Sequence, residues 1–219
     1  EPDLSTTIVT FLIIASLMFV TGLSYKLVGI VLGITIPAIA ILLLVIVNKG
    51  SSILQGYQSL RILAWLKPEE YPETAYQQQN SIMAIGSGQF FGKGLYNNSV
   101  DSVKNGNYIS EPHTDFIFSV AGEEMGFLGS VLIILLLLFI VYECIQTAKV
   151  AKDLSGKLIC SGMAALVGFQ SFVNICVVTG LFPNTGLPLP FVSYGLTSLV
   201  TMYFGMGFVL NVGLQAKKY

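Results

Sequence analysis

Charge is what this sequence has least of: 11% of its 219 residues are Asp, Glu, Lys or Arg, while 53% are hydrophobic. A soluble domain carries about twice that share of charge, because its surface must face water. The shortage excludes that class and makes lipid part of the solvent. The net charge of −1 supplies no field that would gather nucleic acid or another polyanion. Histidine is nearly absent, with a single residue, which excludes a His-rich metal site. Cys144, Cys160 and Cys176 stand far apart, in or beside apolar stretches and without a CxxC pair. Buried free thiols are expected there in place of disulfides or metal ligands. No basic n-region precedes the first apolar run, where Glu1, Pro2 and Asp3 stand, so no secretory signal is read. The first residue is not Met, and a processed chain or a fragment of a longer one is expected.

Apolar runs are what the chain has in abundance. A helix needs roughly 20 mostly apolar residues to cross a bilayer, and five stretches qualify: Thr6 to Leu23, Leu27 to Val47, Phe127 to Tyr142 (extended upstream through Phe116 to Val120), Leu158 to Leu181, and Leu189 to Leu214. The expected fold is an all-α integral membrane protein of about five spanning helices. Residues 48–114 form a large polar loop within this single membrane domain of residues 1–219. Loops of that length are uncommon unless functional or disordered. Ile53, Leu54, Leu60, Ile62, Leu63, Trp65 and Leu66 give it apolar surface to pack, so disorder is disfavoured. Ser52 to Leu66 reads as an amphipathic helix on the membrane surface. Tyr76 to Ile85 reads as a second short helix, ended by Gly86-Ser87-Gly88.

Lysines set the expected orientation. Lys26, the group Lys149, Lys152 and Lys157, and the terminal pair Lys217 and Lys218 all fall on one side of a five-helix topology. The positive-inside rule makes that side cytoplasmic. The long loop and the Pro183 to Pro188 turn then share the outer face.

Among residues able to carry chemistry, the run Glu111-Pro112-His113-Thr114-Asp115 comes first. Ser110 or Glu111 can cap a helix with Pro112 in its first turn. Asp115 then stands in that turn, where the loop enters the membrane. Two readings are open for it: a helix-start acid favoured by the dipole, or a base that accepts a proton from a lipid-linked hydroxyl. His113 is likewise either an interfacial polar residue or part of a site. Glu123 and Glu124 follow just before the deepest apolar part of the span, where acids are costly and therefore suspect, though they can also mark the headgroup level. At 3.6 residues per turn, only Glu123 can readily share a face with Asp115. Asp3 reads as an N-cap or as a partner of Asp115 on the outer face. The glycine-rich run from Gly86 to Gly94 matches neither GxGxxG nor GxxxxGK[ST], yet Lys93 within it can meet a diphosphate as a point charge. Pro183, Pro188 and Pro190 interrupt the last helical hairpin, which must then line a cavity or be buried in protein. Gly195, Gly205 and Gly207 would let neighbouring helices approach.

Three blocks of these residues resemble the bacterial SEDS family (shape, elongation, division and sporulation), which includes RodA, FtsW and SpoVE. They are Pro2-Asp3-Leu4-Ser5-Thr6, the stretch from Ile85-Gly86-Ser87-Gly88 through Pro112-His113-Thr114-Asp115-Phe116-Ile117-Phe118 to Glu123-Glu124-Met125-Gly126, and Leu187 to Gly195. Ser5 and Leu196 stand where the family usually has glycine, and Ser110-Glu111-Pro112 departs from its usual order. The resemblance implies the C-terminal half of a fold of about ten spanning helices. It implies a peptidoglycan glycosyltransferase of the bacterial cytoplasmic membrane that polymerises lipid II with a class B penicillin-binding protein. Lipid II flippase and non-catalytic activator of that partner are the alternatives. By the same resemblance Asp115 is the catalytic base or a metal ligand, and a divalent cation, Mg2+ or Mn2+, is the expected cofactor. His113, Thr114, Glu123, Lys93, Ser193, Tyr194 and Asp3 are the expected substrate-binding residues.

Overall fold

A computed structural model of the chain describes residues 4–24, 56–95 and 112–216, with residues 102, 106, 108 and 109 and scattered positions between 26 and 45. Among the described residues the regular elements are helices: α1 (Leu4–Val20), α2 (Gly56–Leu66), α3 (Pro72–Ser87), α4 (Ile117–Val150), α5 (Leu154–Val178) and α6 (Leu196–Ala216). Three of them, α4, α5 and the 196–215 part of α6, are long and apolar enough to cross a membrane, and α1 is a shorter apolar helix. The protein is an integral membrane protein, and its all-helical build is the one expected. The span expected from Leu27 to Val47, with Asp3, Ser110, Glu111 and residues 51–55, falls wholly or largely outside the described residues.

Helix ends follow local chemistry. The tripeptide Thr-Gly-Leu closes two helices in the same way. After α1, the Leu23 amide donates to the Met18 carbonyl (3.2 Å) and the Gly22 amide to that of Phe19 (3.1 Å). After α5, Leu181 donates to Cys176 (2.7 Å) and Gly180 to Val177 (3.0 Å). Both are Schellman closures with a hydrophobic residue after the glycine. The Asp153 side chain caps α5 by accepting from the Gly156 amide at 3.1 Å. Pro72 and Glu73 open α3, as a proline and an acid in a first turn should.

Helix α5 is central, packing on α1, α3, α4 and α6, while α3 bridges α2, α4 and α5. The main core joins Phe116, Phe118, Leu137, Val167, Val178 and Leu189. Cys144 and Cys160 belong to a second core cluster and Cys176 is also buried; all three are free thiols, as expected. Leu132, Leu135, Leu136 and Phe139 of α4 stay exposed, as lipid-facing side chains must. Of the three glycines expected at helix contacts, Gly205 lies against Met163, whereas Gly207 has open space and Gly195 meets only nearby Ser198.

Two expected boundaries are corrected. The first is the start of α4. Residues 112–116 are turns, and the helix begins at Ile117 after an N-cap, Phe116, with no side-chain cap. Asp115 therefore precedes the helix instead of lying in its first turn. The reason is a competing bond: the Asp115 carbonyl is taken by the Asn174 side chain, and the Ser119 amide turns to Phe116. The last span is the second correction, since α6 starts at Leu196 and not at Leu189. Pro188 and Pro190 lack the amide protons a helix needs, and Phe191 sits at φ 63°.

Helix α4 is broken at Gly126 (φ 66°, ψ −161°). The break removes the helical bonds from Phe127 to Glu123 and from Leu128 to Glu124, and residues 89–94 replace both at each end. Lys93 and Gly94 amides donate to the Glu123 and Glu124 carbonyls (2.9 and 3.0 Å). Phe127 and Leu128 amides donate to the Gln89 and Phe90 carbonyls (2.9 and 3.3 Å). Backbones this close leave no space for a Cβ: one on Gly92 would meet the Glu124 carbonyl, and one on Gly126 the Gly92 amide. The glycine-rich run is a backbone clamp on a broken helix.

Gly126→Ala is expected to destabilise the protein by about 2 kcal/mol or more, from positive φ and overlap together. Gly86→Ala, inside α3 with nothing within 4 Å, should be neutral or slightly stabilising. Thermal unfolding in detergent compares the two, and equal melting temperatures would remove the clamp.

Candidate active site

Asp115 sits half-buried in the 112–116 turn, directly before α4. Three ties press that turn against residues 179–195, the irregular loop between α5 and α6. The buried Ser193 hydroxyl accepts from the Leu189 amide and donates to the Thr114 carbonyl, both at 2.6 Å. The Tyr194 amide donates to the His113 carbonyl at 2.8 Å. The Asn174 side-chain amide donates to the Asp115 carbonyl at 2.8 Å and to the Leu187 carbonyl at 2.6 Å. A Cβ built on Gly186 would stand 3.4 Å from Asp115 Oδ2, so the carboxylate lies against the loop where a side chain is missing.

Carbonyls of the loop, and of Val177 at the end of α5, are met by side chains from four helices. Gln170 of α5 donates to Pro188 (2.9 Å). Gln78 of α3 donates to Val177 (2.7 Å) and Phe182 (2.6 Å). Trp65 Nε1 of α2 donates to Gly180 (2.8 Å). Ser5 of α1 donates to Thr185 (3.3 Å). Unsatisfied carbonyls at membrane depth are costly, so these bonds keep the loop in one shape.

The expected site residues separate into two places. Asp115, His113, Thr114, Ser193 and Tyr194 meet where the turn joins the loop. There His113 and Tyr194 are exposed and Thr114 is half-buried, while the Ser193 hydroxyl is committed to backbone. Lys93 and Glu123 form an ion pair of 2.7 Å in a separate cleft of about 190 Å³ between α3 and α4, lined also by Asn80, Met83, Ser87 and Tyr108. Glu123 is 1% exposed there, so Lys93 is its neutralising partner. Asp3 lies outside the described residues. Among the described residues no three of His, Cys, Asp or Glu gather to hold a metal ion.

Sequence reasoning did not single out Asn174, Gln170 or Gly186. The signal was available for the two amides: polar residues one turn apart in an apolar span are as unusual as acids there. No local pattern marks Gly186, whose importance arises only when Asp115 comes to face it.

The family described as cell cycle protein, FtsW/RodA/SpoVE, matches residues 1–218. A relative from Geobacter sulfurreducens named probable peptidoglycan glycosyltransferase FtsW is 42% identical over 74% of this chain and 42% of its own length. One of the same name from Buchnera aphidicola subsp. Schizaphis graminum is 36% identical over 99% of this chain and 59% of its own. A solved structure described as "structural coordination of polymerization and crosslinking by a peptidoglycan synthase complex" superposes with a TM-score of 0.74 at 30% identity, covering 100% of this chain and 58% of that one. The chain spans about half the length of the curated relatives it matches.

Lys93→Met leaves the Glu123 carboxylate buried without its cation, a loss on the order of 3 kcal/mol. The double variant Lys93→Met with Glu123→Met is expected to recover most of it, because apolar replacement of a whole buried pair is often neutral. A double-mutant cycle on unfolding in detergent measures the coupling, and additive single effects would show the pair to be inert.

Proposed function

Because the chain belongs to the cell cycle protein family of FtsW, RodA and SpoVE, we propose that the full-length protein is a peptidoglycan glycosyltransferase, polymerising lipid II into glycan strands with a class B penicillin-binding protein. The names of the relatives and the complex in the superposed structure support this reading. The observation that carries it is Asp115: a half-buried carboxylate directly before a span, lying against Gly186 of a loop held by buried bonds. The protein works in the bacterial cytoplasmic membrane, with residues 48–114 outside and the C-terminus inside, an orientation supported by the lysines of the short connections.

In this mechanism Asp115 accepts the proton of the acceptor sugar's hydroxyl. That oxygen forms a bond to the anomeric carbon of the donor. The bond from that carbon to the diphosphate oxygen breaks, and its electron pair leaves with undecaprenyl diphosphate. The proton stays on Asp115 until solvent removes it. Ser193 and Asn174 hold the turn that bears the carboxylate; a base fixed in position brings much of the benefit of an intramolecular reaction. His113, Thr114 and Tyr194 stand beside Asp115 as contacts for the sugars. Lys93 and Glu123 border a second cleft for the bound lipid, and Asp3 remains an expected contact from the outer end of α1. A Mg2+ or Mn2+ ion would find one carboxylate in Asp115 and no protein cage among the described residues. It would be held largely by substrate oxygens and would offset the leaving group's charge. The proton transfer to Asp115 needs no ion.

The test uses the full-length protein with its partner, transpeptidation blocked, and purified lipid II in detergent. Wild type is expected to form glycan strands and Asp115→Ala to lose roughly 10²- to 10⁴-fold in rate. Undiminished polymer from that variant would remove Asp115 from the chemistry. Passage of lipid II across vesicles without polymer would assign a flippase instead. Strands made by the partner alone would assign an activator.

A further inference from the structure

The clamp on the broken α4 is made of backbone: the Lys93 and Gly94 amides and the Gln89 and Phe90 carbonyls supply its bonds. Nothing in those bonds asks for an apolar side chain. Phe90, Phe91 and Leu95 nevertheless stand in this turn, in a polar stretch of the sequence, and all three are exposed, Phe91 to 77% and Leu95 to 66%. Phe91 meets Phe90 edge-on, with ring centroids 5.1 Å apart, and Phe90 stacks on Phe127 at 5.8 Å. Phe127 is itself exposed and opens the apolar face of α4 that continues through Leu132 and Leu135. The rings of the turn therefore prolong a lipid-facing surface beyond its first residue. Length sets their level. Phe127 stands sixteen residues before Glu143 and twenty-two before Lys149, about 24 and 33 Å along a helix. Those lengths bracket the roughly 30 Å of a bilayer's hydrocarbon, so the ring cluster falls at its opposite boundary.

We propose that Phe90, Phe91 and Leu95 enter the acyl-chain boundary of the bilayer and anchor the clamp there, which holds the break at Gly126 at one membrane level. The assignment stands whether or not Asp115 is the base. An exposed apolar patch marks either a protein partner or a membrane, and two observations select the membrane. The patch is continuous with the lipid-facing side of a span through the Phe90–Phe127 stack. It also lies at the level where aromatic side chains collect in membrane proteins, with apolar groups sunk about 5–10 Å into the boundary between headgroups and chains. Charge does not oppose the immersion. Lys93, two residues from Phe91, is paired with Glu123 at 2.7 Å, so the turn carries no unpaired lysine toward the lipid. The anchor answers a need that the break creates. A continuous helix transmits its own level in the membrane to its upper end, whereas α4 is interrupted at Gly126. A turn bonded to both sides of the break and held by lipid restores that reference.

The test is spin labelling of the full-length protein in nanodiscs of phosphatidylethanolamine and phosphatidylglycerol, with no partner present. A nitroxide is attached at Phe91→Cys or Leu95→Cys, with exposed Glu73→Cys as the aqueous reference and Leu135→Cys as the reference within the span. Oxygen concentrates in lipid and a nickel chelate stays in water, so the ratio of their collision rates reads depth. The ratio at 91 and at 95 is expected to lie several-fold above that at 73 and below that at 135. Leu95 supplies none of the clamp's bonds, so its label reports depth even where replacing Phe91 disturbs the turn. Ratios equal to that at 73 put the turn in water and overturn the proposal. Loss of collisions with both reagents means that protein covers the rings, and this overturns it equally. Replacing both Phe90 and Phe91 by Ser is expected to shift the label at 95 toward the aqueous value. An unchanged ratio there would show that the rings lie in lipid without anchoring the clamp, and the anchor falls. Depth is read without catalysis, so the Asp115→Ala polymerisation result stands or falls alone.

Discussion

The site depends on one constraint: backbone that leaves the helix at membrane depth must still find partners for its carbonyls. Asn174 meets that constraint where it matters most. Its two amide protons go to the Asp115 and Leu187 carbonyls, from a side chain that is 1% exposed. One residue of α5 thereby sets both the turn that bears the carboxylate and the wall it faces. Gln170, one turn earlier, and Gln78 from α3 extend the same solution to Pro188, Val177 and Phe182. Amides suit the task because each supplies two donors without carrying a charge into a buried place.

A second break obeys the same rule by a different route. At Gly126 the lost helical bonds are replaced by backbone from residues 89–94, which requires glycine where the chains touch. The clamp brings Lys93 to Glu123 and so accounts for an acid buried at the top of a membrane helix. It also joins α3 and its following turn to the first residues of α4, the element that Asp115 precedes. Residues 89–94 of the polar stretch are thereby fixed to a spanning helix.

How much of this can be read from sequence depends on the range of the forces involved. Membrane class, the presence of α3 and the free thiols follow from composition, turn signals and apolar runs, all of them local, although α3 starts four residues earlier, at Pro72, than the Tyr76 expected. The start of α4 was misread because its local signal, Pro112 with an acid three residues on, is a good helix opening; a side chain 59 residues away captures the carbonyl instead. The resemblance puts Ser193 among the substrate-binding residues; in the structure its hydroxyl accepts from the Leu189 amide and donates to the Thr114 carbonyl, a pairing that no pattern near position 193 announces. The prolines correctly marked the interrupted hairpin, but not how far the interruption runs before α6 begins. Acids drew attention in the spans while the amides of α5 did not, although the energetic objection to both is the same in kind.

The corrected position of Asp115 also changes what places it. An aspartate inside a helical turn is positioned by the residues around it in sequence. Asp115 is held from sequence distances of 59 and 79 residues, through its own carbonyl and that of Thr114. Its place is a property of the assembled loop, hairpin and α4 together, and it does not exist in any of them alone. The same reasoning gives α2 and α3 a part in shaping the surroundings of Asp115. They satisfy the carbonyls of Val177, Gly180, Phe182 and Asn184. Without them the loop backbone would have to rearrange to find other partners, and Gly186 would no longer be held opposite the carboxylate. The helices of a long polar stretch that looks peripheral in sequence therefore supply the partners that an irregular loop backbone needs.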